Sequence, residues 1–127
     1  MRSQSAFWRI NYGMINAESE FDELSRLAPN WDSYGAEAPS PAAISAARSI
    51  LKTLCESLIL PNAIVASASG GVSIYFFGGE RTAYIENYND GAQALVMYDR
   101  AGSTHVLEIG PEIASHDVAA RILAYLD

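Results

Sequence analysis

Trp31, Asp32 and Tyr34 fall within one short stretch, Asn30-Trp31-Asp32-Ser33-Tyr34-Gly35-Ala36, which leads into Pro39-Ser40-Pro41. Two aromatic rings beside a carboxylate could hold a ligand, with Trp31 or Tyr34 offering a ring face and Asp32 anchoring a polar group. The same residues could equally close a corner of the fold. The two rings would then plug the gap between the first two helices and the sheet end. Asp32 would accept backbone N–H groups in an Asx-type turn, and Gly35 would take a conformation closed to other residues. The packed corner is the expectation, and the binding loop is its alternative.

Nothing else in the chain assembles into a familiar reaction centre. The sequence holds no CxxC, HExxH, GxSxG or GxxxxGK[ST] pattern. Gly70-Gly71 and Gly78-Gly79 each join two strand-like runs and lead into no helix, so they are not phosphate loops. His105, His116 and Cys55 are too few to make a zinc site. His105 is expected as a hydrogen-bonded surface residue of a strand, His116 as a solvated one and Cys55 as a small buried hydrophobe. No catalytic residue, metal or cofactor is therefore expected.

Composition narrows the partners. The formal net charge is -7, with 15 acidic against 8 basic residues. Lys52 is the one lysine, and the arginines are scattered singly. Duplex nucleic acid is held by Lys and Arg on phosphate, and no basic cluster exists to do so, which disfavours nucleic acid as a partner. No uninterrupted apolar run approaches membrane-span length, so no membrane is expected. A single cysteine and the lack of a signal-peptide pattern make a cytoplasmic protein the expectation.

Residues placed to do chemistry must be positioned by something, and the hydrophobic pattern supplies the elements. With 127 residues, half of them hydrophobic, the chain suits a single domain with a real core. Residues 1–17 are ambiguous, with apolar residues alternating at Trp8, Ile10, Tyr12 and Met14 but Gly13 among them. A helix is expected from Glu20 to Ala28, with Ser19 and Asp22 at capping-box spacing and Pro29 ending it. A second runs from Pro41 to about Leu58, N-capped by Ser40, with Ile44, Ala47, Leu51, Leu54 and Leu58 on one stripe. The period then changes to two, giving strands at about 63–68, 72–77, 81–88, 92–99 and 104–109. The gaps between them permit only hairpins. A last helix follows from about His116 to Leu126, with Ser115 as N-cap. The expected fold is α+β, in the order α-α-β-β-β-β-β-α, with helices on one face of a five-stranded antiparallel meander.

Such a sheet has two unlike faces. An aliphatic face, with Val72, Ile74, Phe76, Ala83 and Ile85, fits against the long helix. The opposite face carries Tyr75, Phe77, Tyr84 and Tyr88, with Glu86 among them. Same-face neighbours merge into one patch, which calls for a cover: the N-terminal segment, a second copy or a partner.

Trp31-Asp32-Ser33-Tyr34-Gly35-Ala36, with Pro39-Ser40, an Ala-rich helix and the Gly70-Gly71-Val72 turn, resembles a group of small bacterial and phage proteins. Their usual form reads Trp-Asp-Gly-Tyr-Gly-Ala, then Pro and Ser, a helix and a strand pair opening at Gly-Gly. Ser33 stands where glycine is common, and the resemblance covers roughly residues 20–90. It implies a shared domain and no known reaction, with loose links to mobile elements and to defence or toxin–antitoxin neighbourhoods. Three functions are open. The first is a non-catalytic acidic protein-binding module of inhibitor, antitoxin or anti-defence type that takes a basic partner. The second is a small-ligand binder or enzyme with a pocket at the Trp31 loop, using Asp32, Tyr34 and Glu86. The third is a structural protein that oligomerises.

Overall fold

Short connections between period-two runs leave the chain no way to cross over, and the result is a meander. The structure, a computed structural model, describes residues 17–127. The alternation at Trp8, Ile10, Tyr12 and Met14 lies outside the described residues. The five strands are β1 (Ala63–Ala66), β2 (Gly71–Gly78), β3 (Arg81–Tyr88), β4 (Gln93–Asp99) and β5 (Thr104–Ile109). They form one antiparallel sheet in the order β1-β2-β3-β4-β5, as the sequence leads one to expect. Three helices accompany it: α1 over residues 17–25, α2 (Pro41–Glu56) and α3 (Ser115–Leu126).

Helix α2 starts as its residues dictate. The Ser40 hydroxyl accepts from the Ala43 N–H at 3.0 Å, and Pro41 follows where a missing N–H costs nothing. Its buried stripe is Ala43, Ile44, Ala47, Ile50, Leu51, Leu54 and Cys55. The helix ends before Leu58, which is 59 % exposed rather than part of the stripe. Leu58 takes φ +64°, and the bonds from Ile59 N–H to the Leu54 carbonyl and from Leu58 N–H to the Cys55 carbonyl make a Schellman ending. A left-handed residue there turns the Leu58 side chain out of the stripe. Burial pushes the Cys55 thiol up.

The helical face of the sheet is the core. Ile64, Ile74, Ile85, Leu95 and Leu107 lie in one register row, and Val72, Phe76 and Ala83 flank it. These join Phe21 and Leu24 of α1, the α2 stripe, and Val118, Ala119 and Ile122 of α3 in a single cluster. Asn87 breaks the apolar pattern. It is fully buried, donating to the Val72 carbonyl at 3.0 Å and accepting from the Gln93 amide at 2.8 Å.

Four boundaries and one side chain depart from expectation. Helix α1 already includes Ala17, so Ser19 lies inside it rather than at its start, and it stops at residue 25, short of Ala28 and Pro29, where the chain leaves the helix through a turn at Arg26. Strand β1 stops at Ala66, because Ser67, Ser69 and Gly70 turn on their own hydrogen bonds. Ser115 is the first residue of α3, whose N-cap is Ala114 with no side-chain bond. His105 makes no side-chain hydrogen bond among the described residues; its ring meets Tyr125 edge-on, with centroids 6.3 Å apart.

Candidate functional site

Two separate places answer to the residues singled out by the sequence. One is the sheet face turned away from the helices. Its register rows run Val65, Ser73, Glu86, Ala94, Glu108, then Ala63, Tyr75, Tyr84, Val96, Val106, then Phe77, Thr82, Tyr98, Thr104. Tyr75 and Tyr84 are directly opposed and stack at 4.9 Å between centroids with a 26° interplanar angle. Phe77 lies 6.2 Å from Tyr75, and Tyr98 meets Tyr84 edge-on at 6.2 Å. These are favourable aromatic geometries, each contributing about 0.5–1.5 kcal/mol beyond area burial. Phe77 stays 54 % exposed, and Val106 on β5 extends the apolar surface towards the sheet edge.

Tyr98 completes this cluster, and it escapes a reading that stops at β2 and β3. The Ala94, Val96, Tyr98 alternation was the available signal. Tyr88 shares the face but lies beyond Glu86, paired with Gly71 and outside the ring contacts. Burial and then the Tyr98 and Glu86 groups hold the Tyr75 phenol above its ordinary value. Tyr84 is raised too, by burial first and Glu86 next.

Glu86 is the unusual member. It is only 7 % exposed on the face without helices. Its Oε2 accepts from the Ser73 hydroxyl at 2.7 Å, while Oε1 is buried without a hydrogen-bond partner among the described residues. Its cross-strand neighbours, Ser73 and Ala94, are small, so the row is low beside the tyrosine row.

The second place is the Trp31 loop, and it is built around itself. Asp32 Oδ1 accepts from the N–H groups of Tyr34 (2.9 Å) and Ala36 (3.0 Å). Asn30 Oδ1 accepts from the Gly35 N–H at 2.7 Å, and Asn30 N–H donates to the Ala36 carbonyl. Gly35 has φ +85° as expected, and Asn30 and Ser33 are left-handed as well. The Tyr34 amide first, and then the Ala36 amide, hold the Asp32 carboxyl below its ordinary value. Trp31 is half-buried, its indole N–H donating to the Glu37 carbonyl at 3.0 Å.

Tyr34 corrects the packed-corner picture. It is 92 % exposed and plugs nothing, because left-handed Ser33 and Gly35 on either side turn its side chain outward. The seal at this corner comes from Asn89 instead. Its amide donates to Glu37 and to the Ala38 carbonyl, and its Oδ1 accepts from the Ser40 N–H at 2.7 Å. The Ser40 hydroxyl in turn donates to the Asn89 carbonyl at 2.8 Å. The loop, the start of α2 and the β3–β4 turn are thereby joined, and Gly70 lies against Asn89.

No hydrogen bond or ion pair among the described residues links Glu86 to Asp32 or Tyr34. A groove of about 310 Å3 lies nearby, but it is lined by Ser25, Pro39, Pro41, Ile44, Ser45 and Arg48. Among the described residues, no three His, Cys, Asp or Glu side chains gather as metal ligands, and no helix is long and apolar enough to cross a membrane. No family model, curated protein or solved structure matches the chain.

Proposed function

We propose that this chain is a non-catalytic, acidic protein-binding module that takes its partner on the sheet face bearing Tyr75, Phe77, Tyr84 and Tyr98. The observation that carries the reading is the Tyr75–Tyr84 stack, continued by Phe77 and Tyr98, on the face away from the helices. Tyrosines suit binding because they bury much area with few torsions to freeze, and their hydroxyls remain satisfied at a wet rim. A net charge of -7 favours a basic partner through steering of the encounter. The finer reading is an inhibitor, antitoxin or anti-defence regulator of bacterial or phage origin, and it rests on the resemblance of the Trp31–Ala36 motif.

The test is affinity capture from the native host with mass spectrometry, wild type against the double variant Tyr84→Glu, Phe77→Ser. The partner is expected to disappear with the double variant while its thermal unfolding stays cooperative. A partner captured equally by both proteins would contradict the reading. Light scattering on the same pair addresses self-association: a dimer that becomes a monomer in the double variant turns the face into an oligomer interface.

A further inference from the structure

We propose that the Glu86 position is a receptor for an arginine side chain of the partner protein, with the tyrosine row as its stacking wall. The inference rests on the reading of this face as a protein-binding surface and names what the partner must present. Glu86 has one oxygen engaged by Ser73 and one buried oxygen without a partner among the described residues. A carboxylate oxygen removed from water without a donor is costly, and a donor supplied from outside offsets that cost. The best donor is cationic, since charge-assisted bonds to carboxylates are the strong ones.

The surroundings select arginine over lysine. Ser73 and Ala94 flank Glu86 with little bulk, and Tyr75 and Tyr84 stand in the adjacent row. A guanidinium is planar and weakly hydrated, so it can donate edge-on to Oε1 while lying against a tyrosine face, where a cation is attracted. An ammonium is a compact, strongly hydrated charge and gains less from the rings. Oε1 is closed to solvent in this state, so a guanidinium enters as a rim side chain swings aside. Tyr88, 38 % exposed, is next along the strand on the same face and is the rim side chain whose rotation the proposal requires.

The probe is acetyl-arginine methylamide, titrated into the full-length protein with 13C-labelled glutamate and tyrosine, with the citrulline counterpart as neutral control. The arginine probe is expected to shift the Glu86 carboxyl and the Tyr75 and Tyr84 ring resonances saturably, at about 1–10 mM. Citrulline should do so at least about tenfold more weakly, and Glu86→Gln, which keeps an acceptor for Ser73, should weaken arginine binding by a similar factor. The citrulline comparison uses the wild-type protein, so it stands even where Glu86→Gln unfolds. Equal shifts from both probes, or no saturable shift at these resonances, overturns the assignment. A dimer that already buries these resonances without probe assigns the position to a second copy and overturns it as well. If arginine fails while Tyr84→Glu, Phe77→Ser still abolishes partner capture, the arginine receptor falls and the binding face stands. If the double variant also keeps the partner, both fall.

Discussion

Single residues at the Trp31 loop divide sharply between those that hold the fold and those that do not touch it. Tyr34 projects into solvent, so Tyr34→Ala should change stability by less than about 0.5 kcal/mol in chemical denaturation. Trp31 is half-buried and donates one indole hydrogen bond, so Trp31→Phe should cost about 1 kcal/mol, the net value of such a bond. A larger loss at Tyr34 than at Trp31 would mean that the loop is closed the other way round. Asp32 adds a pH signature. Its carboxyl is stabilised in the ionised form by the Tyr34 and Ala36 amides, so its folded pKa is depressed. Its contribution is therefore complete at neutral pH and is lost only as pH falls through that depressed value. The amide resonances of Tyr34 and Ala36 should titrate together below the ordinary aspartate value. Titration at or above that value would show that the bonds are absent in solution.

Elements show where the sequence can be read and where it cannot. Strands were legible because turn residues punctuate a period-two pattern, and Asn89-Asp90-Gly91 or Arg100-Ala101-Gly102-Ser103 leave room for nothing but a hairpin. Helix ends were less legible, since Ser19 and Ser115 are good caps that the folded chain does not use as caps. Half of the aromatic cluster could be seen in the alternation of β2 and β3, but Tyr98 depended on pairing β4 in register. The buried Asn87 was invisible because a polar residue in a strand reads as solvent-facing until its register partner is known, and the clamp at Asn89 because a turn asparagine reads as serving only its own turn. Asn87→Ala should cost about 2–4 kcal/mol, since the Val72 carbonyl and the Gln93 amide both lose a buried partner. Leu58 offers the opposite sign. It is an exposed left-handed residue at the end of α2, and Leu58→Gly should stabilise the protein by about 1 kcal/mol, measured as a rise in melting temperature. A destabilised Leu58→Gly would show that the side chain makes contacts that its exposure conceals.

At the scale of the whole molecule, the helices and the loop serve the sheet. Helices α2 and α3 cover one face, and Asn89 fastens the Trp31 loop and the α2 start to the β3–β4 turn. Among the described residues, the other face carries the stacked tyrosines beside a carboxylate with one oxygen unpartnered. The loop and the face are thus rival contact sites, and each offers an exposed aromatic, Tyr34 on the first and Phe77 on the second. Photo-crosslinking in the native host separates them: a benzophenone amino acid is placed at Phe77 in one protein and at Tyr34 in another. The account predicts a discrete covalent adduct with a second protein from position 77 and none from position 34. An adduct from position 34 alone would contradict it and move the binding site to the loop.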